Sequence, residues 1–171
     1  MRLISGGQTG ADRAALDTAM ELGLDHGGWV PTGRAAEDGP LPDRYRVRET
    51  PTEDPAERTE RNVADSDATL LISHGPLMGG SELTRRVAAG LGKPVLHVEL
   101  GRLGAPEAAD RIARWLGALG CRTLNVAGPR ASEEAGIHAA AGAVLRRAIS
   151  KHLRRQREDD QGAARAQAAD R

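Results

Sequence analysis

Short apolar runs alternate with amphipathic ones along the chain. The apolar runs are "RLIS" at residues 2–5, "GGWVP" at 27–31, "YRVRE" at 45–49, "ATLLIS" at 68–73, "PVLHVEL" at 94–100 and "CRTLNVA" at 121–127. Between them, residues 10–22, 55–65, 82–91, 106–118 and 132–152 carry apolar positions at helical spacing. Strands that recur with helices between them pair in parallel through crossover connections, which predicts an open α/β sheet with helices on both faces. In the first helix Leu16, Ala19, Met20 and Gly23 fall at i, i+3, i+4 and i+7, with Thr9 as a cap, Asp12 three residues on and Gly23 as the closing residue. The second helix has Asp54 as N-cap, Pro55 at the first helical position and Glu57 placed to complete a capping box. After His152 the chain turns polar, "LRRQREDDQGAARAQAADR". These features predict one domain over residues 1–152 and a solvated, disordered tail over 153–171.

In an open parallel sheet, ligands bind at the carboxyl ends of strands. Three such junctions carry glycine: "SGGQTG" after the first strand, "SHGPLMGGSE" after "ATLLI" and "AGPRAS" after "TLNV". Free N–H groups and helix starts at one sheet edge suit phosphate or another oxyanion. No junction is followed by Gly-Lys-Ser/Thr, and none has the dinucleotide-binding glycine spacing, so neither a nucleoside triphosphatase nor a standard NAD dehydrogenase is indicated. The aperiodic loop at residues 31–45 has the length of a binding loop, and Arg34 is its candidate anion clamp. Arg58, Asn62 and Asp65 share one polar helix face, which suits a solvated surface or a ligand-facing wall. Arg130 follows the last glycine turn, near a helix start where its charge opposes the dipole, and this favours contact with an anion.

Composition narrows the classes. Lys plus Arg and Asp plus Glu both number 24, so no overall field attracts nucleic acid or an anionic membrane. There is no Phe, one Tyr and two Trp, which leaves little for base stacking. The single Cys121 rules out an internal disulfide or a cysteine cage and reads as an apolar filler. His26, His74, His97, His138 and His152 show no ligand spacing, and Ser5, Ser73 and Ser81 have no recognisable base partner. No leader or long apolar span is visible, and a cytoplasmic protein is expected.

"LISGGQTGADRAALDTAMELG", "GGWVPTGRAAEDGPLP", "RTERNVADSDATLLIS", "GPLMGGSELT", "GKPVLHVEL" and "LNVAGPRAS" together resemble the molybdenum carrier family, the molybdenum cofactor carrier proteins. The resemblance runs through residues 1 to about 150. It implies a three-layer αβα Rossmann-like fold and a carrier that shelters the molybdenum cofactor, a pterin dithiolene with a terminal phosphate, for delivery to molybdoenzymes. It also implies a homo-oligomer. The implied pocket draws on Gly6, Gly7, Gln8, Thr9, Asp12 and Arg13 from the first motif, and on Arg34, Arg58 and Asn62. It continues with Gly79, Gly80, Ser81 and Thr84 from "GGSELT", and with Gly128 and Arg130 from "AGPR". A nucleotide-like anion is the alternative ligand, because the wider superfamily includes the lonely guy phosphoribohydrolases and the DNA-processing protein A family. The phosphoribohydrolase pattern P-G-G-x-G-T-x-x-E lacks its glutamate here: Val87 stands three residues after Thr84, leaving Glu82 or Glu37 as substitutes. Single-stranded DNA binding, the third alternative, is opposed by the neutral charge and few aromatics.

Overall fold

The computed structural model describes residues 1–169, with side chains described as far as residue 167. The chain runs β1 (Arg2–Ile4), α1 (Ala11–Glu21), β2 (Asp25–Gly27), β3 (Trp29–Val30), β4 (Arg48–Glu49), α2 (Pro55–Ala64) and β5 (Ala68–Ser73). It continues with α3 (Gly79–Gly90), β6 (Val95–Glu99), α4 (Ala105–Leu119), β7 (Thr123–Ala127) and α5 (Ile137–Ala169). Five strands form one parallel sheet in the order β2-β1-β7-β5-β6. The chain leaves β1 toward one edge and β5 toward the other, so right-handed crossovers place α1 and α3 on opposite faces. Accordingly α1 and α4 pack with α5, and α2 packs with α3. This is the expected three-layer Rossmann-like α/β arrangement.

Burial follows the pattern of a sheet covered on both sides. All six residues of β5 are buried, as parallel strands beneath two helix layers require. Leu3, Leu70, Ile72, Leu124 and Val126 of the sheet join Ile112, Leu116, Leu145 and Ile149 of the helices in one core. A second, smaller core of Leu16, Val30, Leu41 and Tyr45 lies beneath the 31–45 loop and fixes it to α1.

Local details differ from the sequence reading in four places. "GGWVP" is not one strand: Gly28, at φ 121°, separates β2 in the main sheet from β3, which pairs with β4. A Cβ at Gly28 would stand 2.2 Å from the Ser5 carbonyl oxygen, so the chain passes there by close backbone approach. At α1 the N-cap is Gly10 with φ 76° and no side-chain cap, because the Thr9 hydroxyl turns to Glu37 and to the Ala131 N–H. Gly23 does close α1, and Asp54 does cap α2 by accepting from the Ala56 N–H at 2.9 Å. Glu57 completes no box; it accepts from Thr52 and Arg61.

The fourth difference is the tail. Helix α5 continues through residues 153–169 where a disordered segment was expected. Ala, Arg and Gln dominate this stretch, with one Gly and no Pro, so helix propensity resists fraying although every side chain from residue 154 to 167 is exposed. Asp170 and Arg171 of that expectation lie outside the described residues.

Candidate functional site

Because β1, β7 and β5 are neighbours in the sheet, their three glycine-bearing connections emerge side by side at the carboxyl edge, where the chain reverses its winding. Direct bonds tie them together. The Ala11 N–H donates to the Pro129 carbonyl at 3.2 Å, Ala131 N–H to Thr9 Oγ1 at 3.1 Å, and His74 N–H to Glu134 Oε2 at 2.6 Å. Two glycines serve this packing. A Cβ at Gly10 would lie 2.3 Å from the Pro129 oxygen, and one at Gly128 would lie 2.2 Å from the Ile72 oxygen.

A narrow cleft opens where the connections meet. The first contributes Gln8 and Asp12, α2 adds Arg58 and Thr59, α3 adds Gly80, Ser81 and Thr84, and the connection after β7 adds Gly128, Arg130 and Glu133. Its volume of about 30 Å³ is far too small for a cofactor-sized molecule. Gly6 makes room for one of its lining side chains: the Arg58 guanidinium crosses there, with Nη1 1.4 Å from where a Cβ would stand, and reaches Asp12 Oδ2 at 3.1 Å. Burial pushes the Asp12 carboxyl above its ordinary value, while Arg58 and the N–H groups of Gln8 and Gly128 work against that rise. Amides from two connections are therefore directed at an internal anion. The other donors at the cleft are Arg58 and Arg130 side chains and the start of α3. That start has Met78 as an N-cap without a side-chain bond, followed by Gly79 at φ 49°. Ser81 and Thr84 are buried on its inner face, and Arg130 is paired with Glu133 at 3.4 Å.

Several candidates stand elsewhere. Arg34 lies outside the cleft and is engaged within its own loop: Nε donates to the Leu41 carbonyl at 2.7 Å and Nη2 to the carbonyls of Pro42 and Tyr45 at 2.8 and 3.0 Å. Asn62 faces neither solvent nor the cleft. Its Oδ1 accepts from the Trp29 N–H at 2.8 Å and its Nδ2 donates to the Trp29 carbonyl at 2.9 Å, while Asp65 accepts from the Trp29 indole. The polar face of α2 is thus a docking surface, with Arg58 alone of Arg58, Asn62 and Asp65 at the cleft. Arg13 forms a two-pronged pair with Asp38 in a separate groove of about 300 Å³. Gly7, at φ 69°, packs under Val30 and Leu41. Thr9 and Ser132 hold Glu37, and their hydrogen bonds lower its carboxyl below the ordinary value. Glu82 pairs with Arg85 at 2.6 Å, so neither substitute glutamate lines the cleft.

Ser73 does have a base partner, contrary to the sequence reading. Its Oγ lies 2.7 Å from His97 Nε2 across β5 and β6, but it is fully buried and donates to the Gly75 carbonyl at 2.5 Å, which leaves it no path to substrate. Cys121 is buried and its thiol is pushed up to about 11 by burial. Sequence reasoning missed Thr59 and Glu133. Glu133 was findable, since "RASE" places a carboxylate three residues after Arg130, the spacing of a one-turn ion pair. Among the described residues no three His, Cys, Asp or Glu side chains group as metal ligands, and no helix is long and apolar enough to cross a membrane.

The arrangement has a counterpart among solved structures. A protein of Syntrophus aciditrophicus SB, described as a "putative molybdenum carrier protein", is 49% identical and superposes with a TM-score of 0.85. The match covers 86% of this chain and 94% of that one. No curated protein matches significantly. The model of the circularly permutated YpsA SLOG family matches residues 3–149, which include every strand of the central sheet apart from the first residue of β1, and all three connections at the cleft. The chain belongs to the circularly permutated YpsA SLOG family.

Proposed function

We propose that this chain is a binding protein that carries a small molecule by its phosphate or other oxyanion group, with the molybdenum cofactor as cargo. The observation that carries this reading is the meeting of three strand-end connections at one cleft furnished with Arg58, Arg130 and the start of α3. Guanidinium forks, helix-start N–H groups and the hydroxyl of Ser81 bind oxygen anions, whereas the Thr84 hydroxyl donates to the Gly80 carbonyl at 2.8 Å; none is a ligand for a bare metal. A metal would travel on the cofactor's own dithiolene sulfurs, leaving the protein to hold the phosphate. In this reading Arg58 and Arg130 clamp the headgroup, Gly79, Gly80 and Ser81 cradle it, Thr84, Gln8 and Gly128 border it, and Gly6 seats Arg58. The cleft takes the headgroup, and the pterin lies beyond its mouth. The description of the Syntrophus protein points the same way.

The test is retention of cargo. Protein incubated with cofactor released from a denatured molybdoenzyme is passed through gel filtration, and molybdenum is measured in the protein fraction. The wild type should retain it, and a double variant Arg58→Ala with Arg130→Ala should not. No retention by the wild type at micromolar protein would sink the reading.

A further inference from the structure

Asp12 stands inside the cleft as a wall residue, with its side chain 4% exposed and Oδ2 3.1 Å from Arg58 Nη1. An ionised carboxylate can only accept hydrogen bonds. An oxyanion entering here therefore finds donors in Arg58 and Arg130 and an acceptor of like charge in Asp12. A fully deprotonated oxyanion can offer that acceptor nothing but lone pairs, and a lone pair set against a buried lone pair is an unmade hydrogen bond as well as a repulsion. A phosphate that retains a proton donates it to the carboxylate and converts the clash into a bond.

We infer that Asp12 is the specificity-determining residue of the cleft, selecting a phosphate group that carries a proton, whether inorganic phosphate or the monoanion of a phosphate ester, over fully deprotonated oxyanions such as sulfate and molybdate. The inference rests on the reading of the cleft as an oxyanion site and narrows it: free molybdate is not the cargo, and molybdenum enters only as part of a phosphate-bearing ligand. Charge alone cannot produce this selection, because hydrogen phosphate, sulfate and molybdate are all dianions. What differs between them is the proton.

The charged groups around Asp12 are few. Arg58 comes from α2, and Arg130 and Glu133 come from the connection after β7; Ser81 and Thr84 of α3 are uncharged. Arg58 favours the ionised carboxylate and burial disfavours it. Glu133 is a second carboxylate, but its side chain is 48% exposed and paired with Arg130. Solvent screens it, so it penalises all anions alike without reading their protons.

The experiment is calorimetric titration of the full chain with inorganic phosphate, sulfate and molybdate at neutral pH, where phosphate always retains a proton and the other two retain none. Phosphate should bind at least about tenfold more tightly than either, the penalty expected for one unsatisfied buried acceptor. In Asp12→Asn the amide donates to any oxyanion, so sulfate and molybdate should gain affinity and the ratio should fall toward one. In Glu133→Gln all three should bind more tightly with the ratio kept. Lowering the pH of the wild type until Asp12 takes up its own proton should shrink the preference, and this series decides the matter alone if Asp12→Asn fails to fold. Equal affinities for the three anions in the wild type would overturn the inference and leave the oxyanion site standing. Binding of none of them would remove the site itself.

Discussion

The guanidinium of Arg58 lies across the backbone of Gly6, in the space that a side chain at residue 6 would fill. Gly6 is not required for an unusual backbone angle, since it is absent from the residues at positive φ. Its role is to leave room. Gly6→Ala should therefore evict Arg58 from Asp12, leaving a buried carboxylate unpaired, and destabilise the protein by about 3 kcal/mol in urea unfolding. Adding Asp12→Asn to that variant should recover most of the loss, because no buried charge then lacks a partner. A Gly6→Ala protein of wild-type stability would show that the ion pair can form elsewhere.

Asn62 clasps both backbone groups of Trp29 and is 2% exposed. Removing the amide strands a donor and an acceptor together, so Asn62→Ala should cost about 2–4 kcal/mol. Amide hydrogen exchange at Trp29 should accelerate more than exchange at β5, since the clasp holds α2 to β3 and not to the main sheet. Uniform acceleration at both would mean that the bond supports global stability only.

Arg34 separates a staple from a clamp. Its three bonds to the carbonyls of Leu41, Pro42 and Tyr45 fan out from one planar guanidinium, a geometry that an ammonium group cannot reproduce. Arg34→Lys should make residues 31–45 several-fold more susceptible to limited proteolysis while phosphate affinity at the cleft changes less than about twofold. A large fall in phosphate affinity with an intact loop would restore the role that its residue type first suggested.

The contrast between Arg34 and Arg58 marks how far the sequence was legible. Strand and helix order followed from periodicity, and the location of the cleft followed from glycine at strand ends, because both are local patterns. The partners of individual side chains are not local. Gly10 meets Pro129, Gly128 meets Ile72 and Asn62 meets Trp29, contacts between segments that become neighbours only in the folded chain. Three glycine turns were read as cradles for an outside anion; two of the glycines instead let backbones touch, and amides beside them face Asp12. The polar face of α2 was equally ambiguous, since a helix that docks through hydrogen bonds and one that faces water carry the same residue types.

His152 provides a pH test of the core on the far side of the molecule. The residue is 1% exposed, and its Nε2 has no hydrogen-bond partner among the described residues. Burial lowers its pKa below the ordinary value, and the positive chain terminus and Arg155 lower it further. His97 is also lowered by burial, although Glu99 and Glu134 oppose the shift. Both rings are therefore neutral in the fold at pH values where the unfolded chain already binds a proton, near pH ~6.5. In the window between the folded and unfolded pKa values the unfolded state holds more protons, so stability rises with pH. The contribution is complete above that unfolded value, declines as pH falls through it, and levels off once the folded pKa is passed. Each histidine can change stability by up to ~1.4 kcal/mol per pH unit within its window. His152→Leu keeps the volume close and removes a ring nitrogen that has no partner, so it should leave neutral-pH stability intact or raised. It should also reduce the slope of unfolding free energy between about pH 5 and 7 by as much as one proton. Urea denaturation across that range reads both quantities, and identical slopes in variant and wild type would mean that His152 is already protonated in the folded core.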